Sequence, residues 1–279
     1  MATLLLVHAH PDDECIATGG VMLRAHHEGK RVVLLTATRG EEGDIHNMDA
    51  AAVRPRLAAV RTAELMRSCE ILGVDRQEFL GYRDSGMAGA PSNDDPRAFH
   101  ATPLHDAAGR VAAVLREERP DVVVTYTPDG TYWHPDHVKA HQTTVAALDL
   151  VVAEGWTPAK LYLHAVPRSS VEQIERRAHA SNAVLPIEVG QIVGIPDDEI
   201  TTSVDVSAFL EQKRAAFLAH LSQYETDSPF STIAAQIFEA TLGTERFILA
   251  RGTLGEPRPE RSLFAGLEPP VRETLVVSA

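Results

Sequence analysis

Short apolar runs alternate with helically spaced stretches through the first half of the chain. Residues 3–7, 31–36 and 121–126 are nearly continuous in Leu and Val. Such runs predict strands buried on both faces. Residues 79–80 predict a shorter strand. Between them, 19–28, 53–72 and 106–118 place apolar and small residues three and four apart, and Gly29 and Gly73 close the first two as helix ends. Another helix is predicted from Pro135, a residue suited to a first helical turn, to about residue 152. Polar residues 39–49 and the Gly, Pro, Asn and Asp of 81–102 predict loops.

Strands separated by helices predict an α/β fold: a Rossmann-like, mainly parallel sheet flanked by helices. The second half is less regular. A strand is expected at 160–165, helices at 170–180 and 207–222, and a last strand at 246–250. Residues 187–204 mix short apolar runs with Gly and Pro, which suits a small β addition. The tail from Gly255 carries four prolines. We therefore expect a Rossmann-like catalytic core over 1–155 and a smaller irregular α/β part over 156–279 that completes the pocket, the two forming one continuous domain.

Length, at 279 residues, allows a large core. Thirty-nine acidic against 26 basic residues give a net charge of −13. That argues against nucleic acid or an anionic membrane surface as main partner, since both demand positive charge. Two cysteines make no disulfide framework. No apolar run reaches membrane-spanning length, and the first residues lack the charged region of a secretory leader. A cytoplasmic enzyme with a small-molecule substrate is expected, with self-association left open.

The chemistry concentrates after two of the predicted strands. His8-Ala9-His10-Pro11-Asp12-Asp13-Glu14 follows the first, and His134-Pro135-Asp136-His137 the one at 121–126. Ligands of parallel sheets bind beyond strand carboxyl ends near the switch in strand order, so one site can hold both clusters. His10 and Asp13, three apart, can point the same way if the turn enters a helix. His137 would complete a two-histidine, one-carboxylate set that fits Zn²⁺ and equally Fe²⁺. Asp12 beside a ligand can take a proton from water. His134, one turn before His137, can as imidazolium stabilise an oxyanion and protonate a leaving amine, with Asp136 keeping it charged. Either cluster alone is also an ordinary turn or helix start. Their pairing at equivalent points favours the metal site. His8 and Glu14 are assigned supporting roles, Cys15 a core position, and the remaining histidines no partner at ligand spacing.

These motifs resemble those of the LmbE-like, or PIG-L, family of zinc-dependent N-deacetylases, whose hallmarks are (A)HPDDE and HPDH. Gly40-Glu41-Glu42-Gly43, Arg61-Thr62-Ala63-Glu64-Leu65 and Asp84-Ser85-Gly86-Met87 look like family segments. The resemblance implies His10, Asp13 and His137 as zinc ligands, Asp12 as general base, and His134, oriented by Asp136, as oxyanion stabiliser and general acid. It implies Tyr132 beside the substrate carbonyl and Arg61 and Asp84 as substrate-binding residues. Without it, Arg61 reads as a helix-surface ion pair and Asp84 as a turn residue. Relatives often carry Gly-Gly-Tyr-Gly before HPDH, where this chain has Gly130-Thr131-Tyr132-Trp133, so Trp133 narrows the pocket or offers a face for a sugar. Tyr224 and Phe230 are candidates for the pocket wall.

The expected activity is removal of an N-acetyl group from an N-acetylglucosamine-type aminosugar or its glycoside, as in the mycothiol-biosynthesis deacetylases. An amidase for mycothiol S-conjugates is the alternative. Related amidases look to carry lysine where this chain has Ala17, which favours deacetylation. A non-catalytic sugar-binding module is the third reading, and an intact Asp12 speaks against it.

Overall fold

A computed structural model describes residues 1–180, 190–192, 194–224 and 242–267. Strand β1, Thr3–His8, is buried at every position. Its side chains divide by parity. Leu4 and Leu6 enter one core with Met22 and Leu65, while Leu5 and Val7 enter another with Val111 and Leu148. Alternate residues of a strand face opposite ways, so an unbroken apolar run is what a sheet covered on both faces requires. Each fully buried Leu contributes about 1.5–3 kcal/mol.

The order continues with α1 (Asp13–Ala17), α2 (Gly19–His27), β2 (Arg31–Thr36), α3 (Ala50–Val53), α4 (Leu57–Leu72), β3 (Arg76–Phe79), α5 (Leu104–Glu118), β4 (Val122–Tyr126), α6 (Pro135–Ala153), β5 (Lys160–His164), α7 (Arg168–Ala180), β6 (Thr202–Asp205), α8 (Leu210–Leu218) and β7 (Thr244–Arg251). They form one seven-stranded sheet, in the order β3-β2-β1-β4-β5-β7-β6. Strands β1 to β5 pair in parallel, and β7 and β6 add antiparallel at one edge. The expected α/β class is thus observed, and β6 and β7 tie the second half of the chain into the sheet of the first.

Some boundaries differ from expectation, for local reasons. The helix expected from residue 53 begins at Leu57, because Arg54-Pro55-Arg56 forms a tighter 3₁₀ turn around a proline that has no N–H to give. The helix expected over 207–222 is reduced to α8 between two 3₁₀ turns, Ser207–Phe209 and Leu221–Gln223. Of the β addition expected over 187–204, only Thr202–Asp205 is a strand among the described residues. Phe230 and residues 187–189 lie outside them. No helix among the described residues is long and apolar enough to cross a membrane.

The sheet order reverses between β1 and β4. Chain connections leave β1 toward β2 on one side, and β4 lies on the other. Leu6 pairs with Val124, which brings His8 and Tyr126 to the same carboxyl edge. Both histidine clusters emerge there.

Candidate active site

His10 and His137 face each other across this edge, with His10 Nδ1 3.3 Å from His137 Nε2. Each ring's other nitrogen is engaged outward. His10 Nε2 lies 3.2 Å from Asp136 Oδ2, and His137 Nδ1 lies 3.1 Å from the Gly130 carbonyl. If those outer nitrogens donate, the inner pair present lone pairs to one another, an arrangement that calls for a cation between them. Asp13 closes the third side, with Oδ2 3.5 Å from His10 Nδ1 and Oδ1 3.4 Å from His137 Nε2. Atoms about 2.0–2.1 Å from a tetrahedral Zn²⁺ stand about 3.4 Å apart, so the spacing and the N,N,O donor set fit such an ion. His134 also brings a ring nitrogen within 4.8 Å of those of His10 and His137. The anionic Asp13 is the better third donor, because it is held from behind while His134 is committed elsewhere.

Asp13 is held by residues that sequence reasoning missed. Tyr126, the last residue of β4, donates its hydroxyl to Asp13 Oδ2 at 2.7 Å, accepts the Ala9 N–H at 2.9 Å, and stacks its ring on His137 at 4.3 Å between centroids. A Tyr ending an apolar strand level with His8 was the available signal. His8 is buried and bonds Thr18 Oγ1 at 2.9 Å, a structural role as expected. Burial alone would lower the His10 pKa, but Asp84, Asp13 and Asp136 outweigh it and raise it well above its ordinary value. Burial would likewise raise Asp13, and His137 and His10 overcome it and lower it.

Asp12 sits at φ +98, a left-handed conformation costly for a non-glycine residue. Its carboxyl is raised to about 6, mainly by burial, with Arg61 pulling down and Asp13 pushing up. Arg61 is itself buried. Its Nη2 lies 3.0 Å from Asp12 Oδ2 and also donates to the Pro11 carbonyl, and Nη1 donates to the Gly40 carbonyl at 3.0 Å. Gly40 and Gly43 line this guanidinium so closely that a Cβ on either would stand 2.0 or 2.6 Å from Nη1.

The structure redistributes several expected roles. Asp136 does not pair its carboxylate with His134. It gives that carboxylate to His10 and to the Ser85 N–H and hydroxyl, and offers His134 only its backbone N–H, 3.1 Å from Nδ1. A ring accepting at Nδ1 is neutral and carries its proton on Nε2. Burial, with His10 and His137 adding to it, lowers His134 to about 2. This geometry favours a neutral ring over the imidazolium expected from the sequence. Asp84 is buried, accepts the Gly86 N–H at 2.8 Å and stands 3.5 Å from His10 Nε2. Arg61 and Asp84 are thus both engaged inside the protein, with Asp12 and His10 of the motif among their partners.

Tyr132 does reach the site, its hydroxyl 3.5 Å from His137 Nε2. Its neighbours Thr131 and Trp133 adopt φ +75 and +65, so the two positions where relatives often carry glycine are left-handed here. Trp133 is 62% exposed. Tyr224 stacks on Phe217 at 4.9 Å within its own segment.

A Rossmann-like sheet with this carboxylate and histidine cluster at its switch point defines an enzyme class, hydrolases equipped to hold a metal ion. The chain belongs to the PIG-L family, whose profile, described as GlcNAc-PI de-N-acetylase, matches residues 5–148. It is 43% identical to a 1D-myo-inositol 2-acetamido-2-deoxy-alpha-D-glucopyranoside deacetylase of Acidothermus cellulolyticus, covering 95% of each chain. It is 41% identical to the protein of the same name from Thermomonospora curvata, over 95% of this chain and 96% of that one. Among solved structures it resembles the conserved protein TT1542 from Thermus thermophilus, at 25% identity and a TM-score of 0.60 over 92% of this chain and 98% of the other. The chain is accordingly a deacetylase.

Proposed function

We propose that this deacetylase removes the acetyl group from N-acetylglucosamine joined to inositol, with Zn²⁺ as its resident metal. The observation that carries this is the convergence of His10 Nδ1, His137 Nε2 and the Asp13 carboxylate at 3.3–3.5 Å, with Asp12 alongside. His10, Asp13 and His137 would hold the ion. When bound there it polarises the amide carbonyl and lowers the pKa of water to about 7. Fe²⁺ takes the same donor set and is the alternative occupant.

The chain's own groups supply the rest. Asp12, with Oδ2 fixed by Arg61, offers Oδ1 to the attacking water and takes its proton. The carbonyl oxygen gains charge as the C–O bond forms, and the Tyr132 hydroxyl and the His134 Nε2–H donate to it. The C–N bond then breaks and the nitrogen must receive a proton. A neutral His134 would become an anion by giving one up, so we assign that transfer to the now protonated Asp12. One residue serves as base and then as acid.

The direct test is amine release from N-acetylglucosaminyl-inositol by protein loaded with Zn²⁺ or Fe²⁺. Free N-acetylglucosamine and a mycothiol S-conjugate run in parallel. Fastest turnover on the acetylated glycoside is expected. Preference for the S-conjugate would replace the reading with an amidase, and no release from any of the three would remove it.

A further inference from the structure

The first catalytic motif is gripped from the far end of the chain. His220, in the turn after α8, is fully buried, and its Nε2 lies 2.8 Å from Glu14 Oε1. The same oxygen accepts the Ser68 hydroxyl from α4 at 2.5 Å. The other oxygen, Oε2, accepts the backbone N–H of Asp12 at 2.8 Å. Asp12 is the residue held at φ +98, a conformation that costs about 1–3 kcal/mol and persists only where its surroundings impose it. The same peptide is pinned on its carbonyl side as well, by Arg61 on the Pro11 oxygen.

Glu14, Cys15 and His220 together have the composition of a second metal cluster. Their contacts argue otherwise. Both Glu14 oxygens are filled by donors, the Cys15 thiol donates to the Asp12 carbonyl at 2.9 Å, and His220 Nε2 is spent on Glu14. Every one of these bonds leads back to the Asp12 turn. Asp12 is held through its N–H by Glu14, through its carbonyl by Cys15, and through one carboxylate oxygen by Arg61. Of these holds, the one through Glu14 leans on the second half of the chain, by way of His220.

We propose that Glu14, Ser68 and His220 are positioning residues for Asp12. His220 and Ser68 fix the Glu14 carboxylate, and Glu14 holds the Asp12 peptide in the left-handed turn from which its free oxygen meets the attacking water. The C-terminal half thereby enters the reaction without touching substrate. This rests on Asp12 being the base.

The test is steady-state kinetics of zinc-loaded, full-length protein on N-acetylglucosaminyl-inositol, with zinc content measured on the same samples. His220→Leu, which keeps bulk and removes the donor, is expected to lower kcat about 10- to 100-fold. KM and zinc content should hold. His220→Gln restores an N–H toward Glu14 and should recover most of the loss. Ser68→Ala removes a smaller donor from the same oxygen, is expected to lower kcat in the same direction, and serves if the leucine variant does not fold. Wild-type kcat in a folded His220→Leu or Ser68→Ala protein overturns the proposal. So does a loss carried by KM or by zinc, or one that glutamine fails to recover. Wild-type protein that releases no amine overturns the base role itself, a different result from active variants.

Discussion

His134 shows how one hydrogen bond can reassign a residue. Its Nδ1 accepts the Asp136 N–H at 3.1 Å, and in the mechanism proposed above it acts as a neutral donor from Nε2. A donor can be replaced by another donor, whereas a proton source cannot. His134→Gln is therefore expected to keep turnover within about 10-fold of wild type, and His134→Ala to lose about 10²- to 10³-fold, the cost of one oxyanion donor. Equal, deep losses in kcat for both would restore the general-acid role. Tyr126 supports a parallel expectation. Tyr126→Phe keeps the ring on His137 but leaves Asp13 Oδ2 with only the His10 N–H, and should weaken zinc binding about 10- to 100-fold in chelator competition. Unchanged affinity would mean that the His10 N–H alone holds the ligand. The chemical residues His10, Asp12, Asp13 and His137 were legible in the sequence because their types are rare together and follow strands. Tyr126 and His220 were not, because 113 and 206 positions separate them from the residues they hold.

Elements were legible where burial wrote a period into the sequence. β1, β2 and β4 are apolar on both faces and were placed within a residue or so of their ends. β6, with Thr, Ser and Asp among its four residues, carries no such period, and its pairing with β7 comes from tertiary context. The loop after β2 reads as polar, with its Gly-Glu-Glu-Gly marked by the family resemblance, yet its spacing is set by α4. Gly40 lies at φ +66 with room for Arg61 and nothing else. Gly40→Ala should push the guanidinium off Asp12, lowering kcat about 10-fold and destabilising the fold by about 2–3 kcal/mol. Gly29→Ala is the control, at φ +72 with nothing within 4 Å of the new Cβ. It should show only the left-handed backbone cost of about 1–2 kcal/mol in urea midpoint, with kcat unchanged. Equal kcat in the two variants would mean that Arg61 does not act through this loop.

At the scale of the molecule, β5 from the second half of the chain pairs with β4 beside the site, and an acid sensitivity is expected from that. His164 ends β5 beside Tyr126, their rings 4.8 Å apart and edge-on. It is buried, and its Nε2 finds no partner among the described residues. Burial first, then the nearby His8 and His137, lower its pKa from 6.5 to about 3. An unfolded chain would take up a proton there near pH 6.5, while the folded chain refuses it until about pH 3. Stability from this group is therefore complete above pH 6.5 and is lost as pH falls toward 3, at up to about 1.4 kcal/mol per pH unit. Other groups also titrate in this range, so the informative quantity is a difference between variants. His164→Phe fills the same space with a ring that binds no proton. Between pH 6.5 and 4.5 its unfolding free energy should fall with a slope shallower than wild type by up to that amount. Coincident slopes in urea titrations would show that His164 is protonated in the folded protein, and that the floor beneath the site is more open to water than its packing implies.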